Sequence, residues 1–203
     1  MINAFIFDLG NVLYLFDLSS GMQFLKDNGA SLSLLSILRL KRLMDRYELG
    51  KLTSREFYEE VKRETGLDSN FEAFRLAFSD IFRENPDSIP VARRLLRQYP
   101  VYILSNSNEM HIAFLNDRHS LLREVKGHVY SHEEGVAKPD TRIFQIALDR
   151  FHLNPESTLY IDDLKENTDA AASLGFATLH YPVKDGKPLH RLQDELTKRG
   201  IIV

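Results

Sequence analysis

Short apolar runs alternate with longer stretches of helical periodicity along most of this chain. The runs Ala4–Phe7, Val101–Leu104, Val129–Tyr130 and Leu159–Ile161 are rich in β-branched or aromatic residues, and Ala177–Tyr181 is a weaker fifth run. Each run is short and almost wholly apolar, which is typical of strands buried on both faces of a parallel sheet. Because helical stretches separate the runs, the pattern predicts an α/β fold with a doubly wound, Rossmann-like parallel sheet.

Start and stop signals support the helices between these strands. Ile89–Gln98 is followed by Tyr99-Pro100, and the proline ends the helix before the second strand. Thr141–Phe151 begins directly after Pro139-Asp140, where the aspartate is suited to cap the helix. Asn167–Leu174 is the third predicted helix, and the glycine after it favours a helix end.

The alternation is interrupted between Phe16 and Asn85, where helical patterns dominate and no strand is indicated. The candidate helices of this segment are Ser20–Asn28, Leu32–Tyr47, Ser54–Thr65 and Asn70–Phe82. The sequence therefore predicts an all-helical cap domain, residues 16–84, inserted after the first strand. Residues 1–15 and 85–203 would form the α/β core.

Composition narrows the class of protein. The 203 residues are 43% hydrophobic, which supports a packed core, and the formal net charge of -3 favours neither nucleic acid nor an anionic membrane as partner. The absence of cysteine excludes disulfides, thiolate metal sites and cysteine nucleophiles. No apolar stretch approaches the roughly 18 residues of a spanning helix, and the start of the chain does not resemble a signal peptide. We expect a cytoplasmic protein, and the sequence does not indicate its oligomeric state.

Polar residues with related chemistry follow the predicted strands. Asp8 ends the first run, Ser105-Asn106 follows the second, Lys138 comes after the third, and Asp162-Asp163 follows the fourth. Ligands of open parallel sheets bind beyond the carboxyl ends of the strands, so we expect these side chains to converge. A carboxylate can attack phosphorus, and a hydroxyl and an ammonium can offset charge on the phosphoryl oxygens. The set predicts phosphoryl transfer.

The acidic pair adds a metal to this prediction. Adjacent carboxylates at a strand end repel each other unless a cation lies between them. Carboxylate oxygens are ligands that Mg²⁺ prefers. An aspartate at a strand end or a lysine before a proline is ordinary when it stands alone, so the prediction depends on the whole set, Asp8, Lys138 and Asp162-Asp163.

The order of these motifs resembles that of the haloacid dehalogenase-like hydrolase superfamily. The matching stretches are Asp8-Leu9-Gly10-Asn11-Val12, Leu104-Ser105-Asn106, Lys138-Pro139 and Tyr160-Ile161-Asp162-Asp163. The resemblance implies a helical cap that closes over the site and selects substrates. Within the superfamily, the opening motif resembles the α-glucose-1-phosphate phosphatase-like subgroup of sugar-phosphate phosphatases.

The resemblance also implies a role for each matching residue. Asp8 would be the nucleophile, and Lys138 would steady the charge that Asp8 shares with the phosphoryl group. Ser105 and Asn106, with Asn11, would bind phosphoryl oxygens.

The implied metal ligands are Asp8, the backbone carbonyl of Gly10, Asp163 and, as a further acidic contact, Asp162. Most phosphatases of the family carry a second aspartate where this chain has Gly10; it protonates the leaving oxygen and later activates water. Its absence predicts weaker general acid–base catalysis, which contributes about 10²–10⁴-fold in other enzymes. Asp17, at the entry to the cap, is a candidate substitute.

The sequence therefore favours a Mg²⁺-dependent phosphatase that hydrolyses a small phosphorylated metabolite, with a sugar phosphate as first candidate, through an aspartyl phosphate. A haloacid dehalogenase, in which Asp8 attacks carbon without a metal, is an alternative that Asp162-Asp163 disfavours, because these acids would repel a carboxylate substrate. A phosphosugar mutase is disfavoured by Gly10. A catalytically weakened protein that only binds a phosphorylated ligand stays open for the same reason.

Overall fold

The computed structural model describes residues 1–202 of the chain. Its first elements are strands β1 (Ala4–Phe7) and β2 (Tyr14–Phe16), helices α1 (Ser19–Asp27), α2 (Leu34–Glu48), α3 (Ser54–Thr65) and α4 (Phe71–Ser79), and strand β3 (Phe82–Glu84). The elements that follow are α5 (Ser88–Leu96), β4 (Val101–Ser105), α6 (Glu109–Arg118), α7 (Leu121–Glu124), β5 (Gly127–Tyr130), α8 (Ser131–Glu134), α9 (Thr141–Phe151), β6 (Thr158–Asp162), α10 (Lys165–Ser173), β7 (Ala177–His180), β8 (Val183–Lys184), β9 (Lys187–Pro188) and α11 (Leu192–Thr197).

Five strands form a parallel sheet in the order β5-β4-β1-β6-β7. From β1 the chain first builds outward to β4 and β5 and then returns to the other side of β1 to add β6 and β7. The carboxyl end of β1 is therefore the point where the strand order reverses, which is where ligands bind in doubly wound folds. The predicted α/β fold class and its five strands are confirmed.

The two faces of the sheet are both covered, as the continuous apolar runs predict. Phe5 and Phe7 of β1 belong to a cluster on one face that includes Leu95 of α5. Ile6, between them, belongs to the cluster on the other face with Phe144 of α9. Successive side chains of a strand point to opposite faces, so a strand buried on both sides must be apolar at every position.

The inserted segment has its own core, built from the apolar faces of α2, α3 and α4. Tyr47, Phe57 and Phe74 are buried there, and the rings of Tyr47 and Phe57 stack at 4.5 Å between centroids. No helix within residues 1–202 is both long enough and apolar enough to cross a lipid bilayer.

A short ribbon joins the two parts of the chain, and the hydrophobic pattern did not indicate it. β2 pairs antiparallel with β3, with Phe16 opposite Phe82. The expectation that residues 16–85 contain no strand was therefore wrong at Phe82–Glu84, and α4 ends at Ser79 rather than continuing to Phe82. Both predicted cap boundaries, residues 16 and 84, fall in this ribbon; the division into domains stays a prediction.

The end of α2 lies against the core beside the loop that follows β4. The Ser131 hydroxyl donates to the backbone carbonyl of Glu48 at 2.6 Å, and the backbone N–H of Ser107 donates to the same hydroxyl at 3.0 Å. Gly50 has a φ of 65°, and a Cβ at this position would overlap the carbonyl oxygen of His132. The backbone just after α2 can approach the core this closely only because it has no side chain at Gly50.

We expect Gly50→Ala to lower the free energy of unfolding by about 1–3 kcal/mol more than Gly66→Ala, the usual cost of overpacking. Both glycines have positive φ, 65° and 72°, so both variants carry the same left-handed strain. Only Gly50 faces a backbone atom, since nothing lies within 4 Å of a Cβ at Gly66. Urea unfolding of the two variants measures the difference, and equal losses would contradict the close contact.

Candidate active site

The carboxyl ends of β1, β4 and β6 meet at one edge of the sheet, and a buried lysine contacts a residue at each of them. Lys138 Nζ lies 2.7 Å from Asp8 Oδ1 and 2.7 Å from Asp162 Oδ2, and it also donates to the backbone carbonyl of Leu104 at 3.2 Å. The Lys138 side chain is 2% exposed, so water does not compete for these contacts. Charged residues far apart in sequence are thereby fixed around one point.

Burial and charge act in opposite directions on these groups. Burial raises the pKa of the Asp8 carboxyl to about 7, although the adjacent Lys138 ammonium pulls this pKa down. Burial alone would lower the pKa of Lys138, but the carboxylates of Asp8 and Asp162 outweigh it and raise that pKa. Burial likewise works against ionisation of Asp162, and Lys138 overcomes it and lowers the pKa of that carboxyl. The lysine is therefore held charged.

The acidic residues fit a divalent cation. Oxygen atoms of Asp8, Asp162 and Asp163 all lie within 4.8 Å of one another. Burial raises the pKa of Asp163 as well, and the neighbouring Asp162 charge adds to this rise. Three carboxylates face a single ammonium, so a cation bound among them would offset the excess negative charge. An all-oxygen donor set is the kind that Mg²⁺ prefers.

Asp162 differs from Asp8 and Asp163 because both of its carboxylate oxygens accept several hydrogen bonds from protein groups. Its Oδ2 accepts from Lys138, from the Tyr160 hydroxyl and from Asn167 Nδ2, while Oδ1 accepts from Asn167 and from the backbone N–H of Leu164. The residue is fully buried. Asp162 is thus placed to hold Lys138 and the start of α10, whereas Asp163 is partly exposed toward the site.

Asn106 fixes the backbone that carries the lysine. Its Nδ2 donates to the Lys138 carbonyl at 2.9 Å, and its Oδ1 accepts from the Lys138 N–H at 2.8 Å. These reciprocal bonds use both ends of the amide, so the side chain positions Lys138. Ser105 is buried beside it and lines the pocket described next, and its hydroxyl donates to the Asn106 carbonyl at 3.3 Å.

A pocket of about 230 Å³ opens in front of these residues. Its polar lining comes from the loop after β4, with Ser105, Asn106 and Ser107, and from His111 and Glu48. The remaining lining is mostly apolar and consists of Leu9, Gly10, Phe16, Leu18, Met44, Ile81, Phe82 and Leu115. The pocket lies between the core and the inserted helices, so a bound molecule would contact both.

Comparison with known proteins decides the family. The family profile for haloacid dehalogenase-like hydrolases matches residues 2–175. The chain is a haloacid dehalogenase-like hydrolase. The match runs from β1 through the acidic pair to the end of α10, so it includes all the strand ends that bring Asp8, Lys138 and Asp163 together. The resemblance seen in the sequence is confirmed.

Curated relatives of this hydrolase include phosphatases. It is 27% identical over 195 residues to a D-ribitol-5-phosphate phosphatase of Bacteroides thetaiotaomicron, covering 88% of this chain and 91% of that protein. It is 26% identical over 179 residues to a sesquiterpene phosphatase of Aspergillus oryzae, covering 87% and 88%. A shorter match of 46 residues at 50% identity, to acyl-CoA dehydrogenase family member 10 of Mus musculus, covers 23% of this chain and only 4% of that protein.

A solved structure confirms the fold of the hydrolase. A HAD family enzyme of Bacteroides thetaiotaomicron, crystallised with magnesium and inorganic phosphate, superposes with a TM-score of 0.82 at 22% identity. The alignment covers 91% of this chain and 96% of that one. At this identity the likeness establishes the fold.

Two predicted site residues have contacts that their sequence motifs did not show. Asn11 has a left-handed backbone, φ 57°, and its Nδ2 donates to Asp163 Oδ2 at 3.0 Å. Its amide therefore orients an acid of the predicted metal site. Asp17 is exposed and accepts from the N–H of Ser19 at the start of α1, a bond that lowers its pKa. This position does not favour Asp17 as a proton donor, and that role stays a prediction.

Sequence reasoning missed two residues that line the pocket of this hydrolase. Glu48 is the last residue of α2. It begins the stretch Glu48-Leu49-Gly50-Lys51-Leu52-Thr53, which resembles the same phosphatase subgroup, and it is an acid at a helix end that normally favours cations. His111 lies in α6. Burial lowers the pKa of His111 to about 4, and its Nε2 donates to the Phe78 carbonyl at 3.1 Å, so its ring is neutral.

Proposed function

We propose that this hydrolase is a Mg²⁺-dependent phosphatase that forms an aspartyl phosphate on Asp8. The observation that carries the proposal is the cluster at the centre of the sheet edge, where Lys138 Nζ lies 2.7 Å from the Asp8 carboxylate and the oxygens of Asp8 and Asp163 lie within 4.8 Å. The similarity to two phosphatases along nearly the whole chain supports the same reaction class.

The residues divide the work as follows. Asp8 attacks phosphorus, and water later attacks the resulting acyl phosphate and releases inorganic phosphate. Lys138 stays protonated beside Asp8 and offsets charge on the phosphoryl oxygens, and Ser105 donates to one of them. Asp8 and Asp163, with the Gly10 carbonyl, would hold Mg²⁺, which supplies further positive charge to the phosphoryl group.

The substrate that we propose is a small phosphorylated metabolite, with a sugar or sugar-alcohol phosphate as first candidate. The opening motif around Gly10 and the similarity to a D-ribitol-5-phosphate phosphatase support this class. A cytoplasmic location and the absence of nucleic-acid and membrane partners stay predictions from composition, and the oligomeric state is open.

A phosphate ester with an apolar organic group is the second candidate, because the walls of the pocket are mostly apolar. A second pocket of about 360 Å³ lies among the inserted helices and shares Leu18, Met44, Ile81 and His111 with the first. Its lining is apolar except for Lys41, His111 and backbone atoms. Similarity to a sesquiterpene phosphatase agrees with this second class.

Phosphate release from a panel of esters tests the proposal and separates the two classes. The panel contains pentitol and hexose phosphates on one side and prenyl and straight-chain alkyl monophosphates on the other, each with Mg²⁺ and with a chelator. We expect Mg²⁺-dependent release for one class. Chloride release from a haloacid without added metal would instead support the dehalogenase, and binding of phosphate mimics without turnover would support a ligand-binding protein.

A further inference from the structure

We propose that Glu48, carried by helix α2 of the cap, donates the proton to the leaving oxygen and then accepts one from the attacking water. This inference rests on the proposed phosphatase function. It gives the chain a proton donor and acceptor that position 10, occupied by glycine, cannot supply.

Gly10 has no side chain, so a proton donor at the leaving oxygen must come from another residue. A Cβ at Gly10 would lie 3.4 Å from the Phe16 ring and 4.0 Å from Asp8 Oδ2. These are ordinary van der Waals distances, so a side chain would fit beside the Asp8 carboxylate, but the chain carries none there. Glu48 lines the same pocket as Gly10, Phe16 and Ser105, from the opposite, cap side.

The Glu48 carboxyl has no structural task within the described chain. It takes part in no hydrogen bond or ion pair among residues 1–202, although the residue is partly buried. It is also the last residue of a 15-residue helix, where the macrodipole disfavours a carboxylate. A partly buried acid that breaks a local preference and faces a pocket is a candidate for function.

The backbone of Glu48 is nevertheless held firmly against the core. Its carbonyl accepts from the Ser131 hydroxyl, which also binds the N–H of Ser107 in the loop after β4. The close approach of Gly50 to His132 fixes the chain two residues later. The same contacts thus join the backbone of Glu48 to the loop that follows Ser105. They fix the position of the Glu48 backbone relative to the proposed phosphoryl-binding hydroxyl.

The charges around Glu48 suit proton transfer near neutrality. Burial and, to a lesser extent, the charge of Asp45 one turn earlier raise the pKa of Glu48 to about 7, although the charge of Lys138 lowers it. Burial also lowers the pKa values of His111, which lines the same pocket, and of His132, whose backbone lies against Gly50. An acid with a pKa near the working pH can both give and take a proton.

Protons and bonds balance over two steps. In the first, an Asp8 oxygen bonds to phosphorus, the bond from phosphorus to the ester oxygen breaks, and that oxygen takes the Glu48 proton and leaves as an alcohol. In the second, a water oxygen bonds to phosphorus and gives a proton to the Glu48 carboxylate. The bond from phosphorus to Asp8 breaks, and inorganic phosphate leaves with Asp8 and Glu48 restored.

Glu48→Gln, compared with Glu59→Gln on an exposed face of the same cap, tests the proposal with two substrates of one shape. Phenyl phosphate needs a proton on its leaving oxygen, whereas 4-nitrophenyl phosphate releases a stabilised anion. We expect Glu48→Gln to lower kcat/KM for phenyl phosphate at least about 100-fold. For 4-nitrophenyl phosphate we expect a loss below about 10-fold, and a burst of one 4-nitrophenolate per enzyme because the second step lacks its base. Glu59→Gln should change neither.

The pH profile is a second readout, with its sign fixed by the first step. Glu48 must be protonated to act as an acid, so kcat/KM of the wild type for phenyl phosphate should fall above about pH 7. This limb should vanish in Glu48→Gln and move to lower pH in Asp45→Asn, because removal of the Asp45 charge lowers the pKa of Glu48.

Equal losses with the two esters, or an unchanged kcat/KM, would overturn the role of Glu48, because a binding or packing role does not depend on the leaving group. If the wild type hydrolyses both esters with Mg²⁺ but Glu48→Gln shows equal losses or an unchanged kcat/KM, only the role of Glu48 is refuted. A wild type that releases phosphate from neither refutes the proposed function and the inference with it.

Discussion

Asp8→Asn is expected to abolish phosphate release and, at the same time, to stabilise the metal-free protein. Loss of a nucleophile or its partner costs about 10⁴–10⁶-fold in kcat in well-studied enzymes. The amide cannot form the acyl phosphate, yet its size matches the carboxylate, so Lys138 and the pocket keep their shape. Lys138 also retains its contact with Asp162 at 2.7 Å.

The gain in stability follows from the direction of the pKa shift. Burial raises the pKa of Asp8 from 3.8 to about 7, so ionisation of this residue destabilises the folded state. That loss is absent below the unfolded pKa, develops as the pH rises from about 4 to about 7, and is complete above the folded pKa. An asparagine does not ionise, so the advantage of the variant should grow over the same pH range.

Thermal unfolding with a chelator, at pH 4 and pH 8, measures this effect, and phosphate release with Mg²⁺ measures activity. Asp140→Asn is a control of opposite sign, since this partly exposed carboxylate caps α9 outside the site and hydrogen bonds with Arg142 lower its pKa. A less stable Asp8→Asn at pH 8 would show that the contact with Lys138 outweighs burial. Residual turnover near that of the wild type would remove Asp8 from the role of nucleophile.

The parallel sheet could be predicted because its strands are buried on both faces. Ala4–Phe7 is apolar at every position, and its bounds agree with β1. The strand Phe82–Glu84 could not be predicted in the same way, because it belongs to a two-stranded ribbon and has no continuous apolar run of its own. Its sequence Phe-Arg-Glu is partly or fully exposed, and its pairing with Tyr14–Phe16 depends on a partner nearly 70 residues away.

The chain order of the strands was also sufficient to bring most of the site together. Asp8, Lys138 and the acidic pair follow different strands, and parallel strands place their carboxyl ends at one edge. The sequence did not reveal which groups each side chain of the site contacts. Asn106 and Asn11 were expected at the phosphoryl group, but their amides hold Lys138 and Asp163. Such contacts depend on side-chain rotamers, which spacing does not encode.

The contribution of the cap could be predicted least. Glu48 reaches the pocket only because the end of α2 is docked on Ser131 and because Gly50 allows a close approach. Neither contact is local in sequence. In the proposed mechanism the chemistry is separated into two parts: the strand ends would hold the phosphoryl group, and the inserted helices would provide groups at the leaving oxygen. Substrate preference should change with cap substitutions while Mg²⁺ binding stays constant.

The acidic pair should separate into a metal ligand and a structural residue when each member is changed to asparagine. Asp162→Asn is expected to lower the free energy of unfolding by about 3–5 kcal/mol, the usual result of removing one partner from a buried ion pair. The Asp162 carboxylate accepts hydrogen bonds from Lys138, Tyr160 and Asn167. The N–H group of an asparagine amide would face one of these donors and could not accept from it. The charge on Lys138 would also lose one of its two carboxylates.

Asp163→Asn should show the opposite pattern, because this residue is partly exposed and accepts only from Asn11 among side-chain donors. Burial raises the pKa of Asp163, so removing its charge should leave metal-free stability unchanged or higher. Mg²⁺ affinity should fall at least about 10-fold, since even indirect changes around metal sites cost 10–100-fold. Urea unfolding without metal and calorimetric Mg²⁺ titration of both variants measure the two effects. If Asp162→Asn weakened Mg²⁺ binding more than Asp163→Asn and unfolded like the wild type, the two assignments would have to be exchanged, and Lys138 would depend on Asp8 alone.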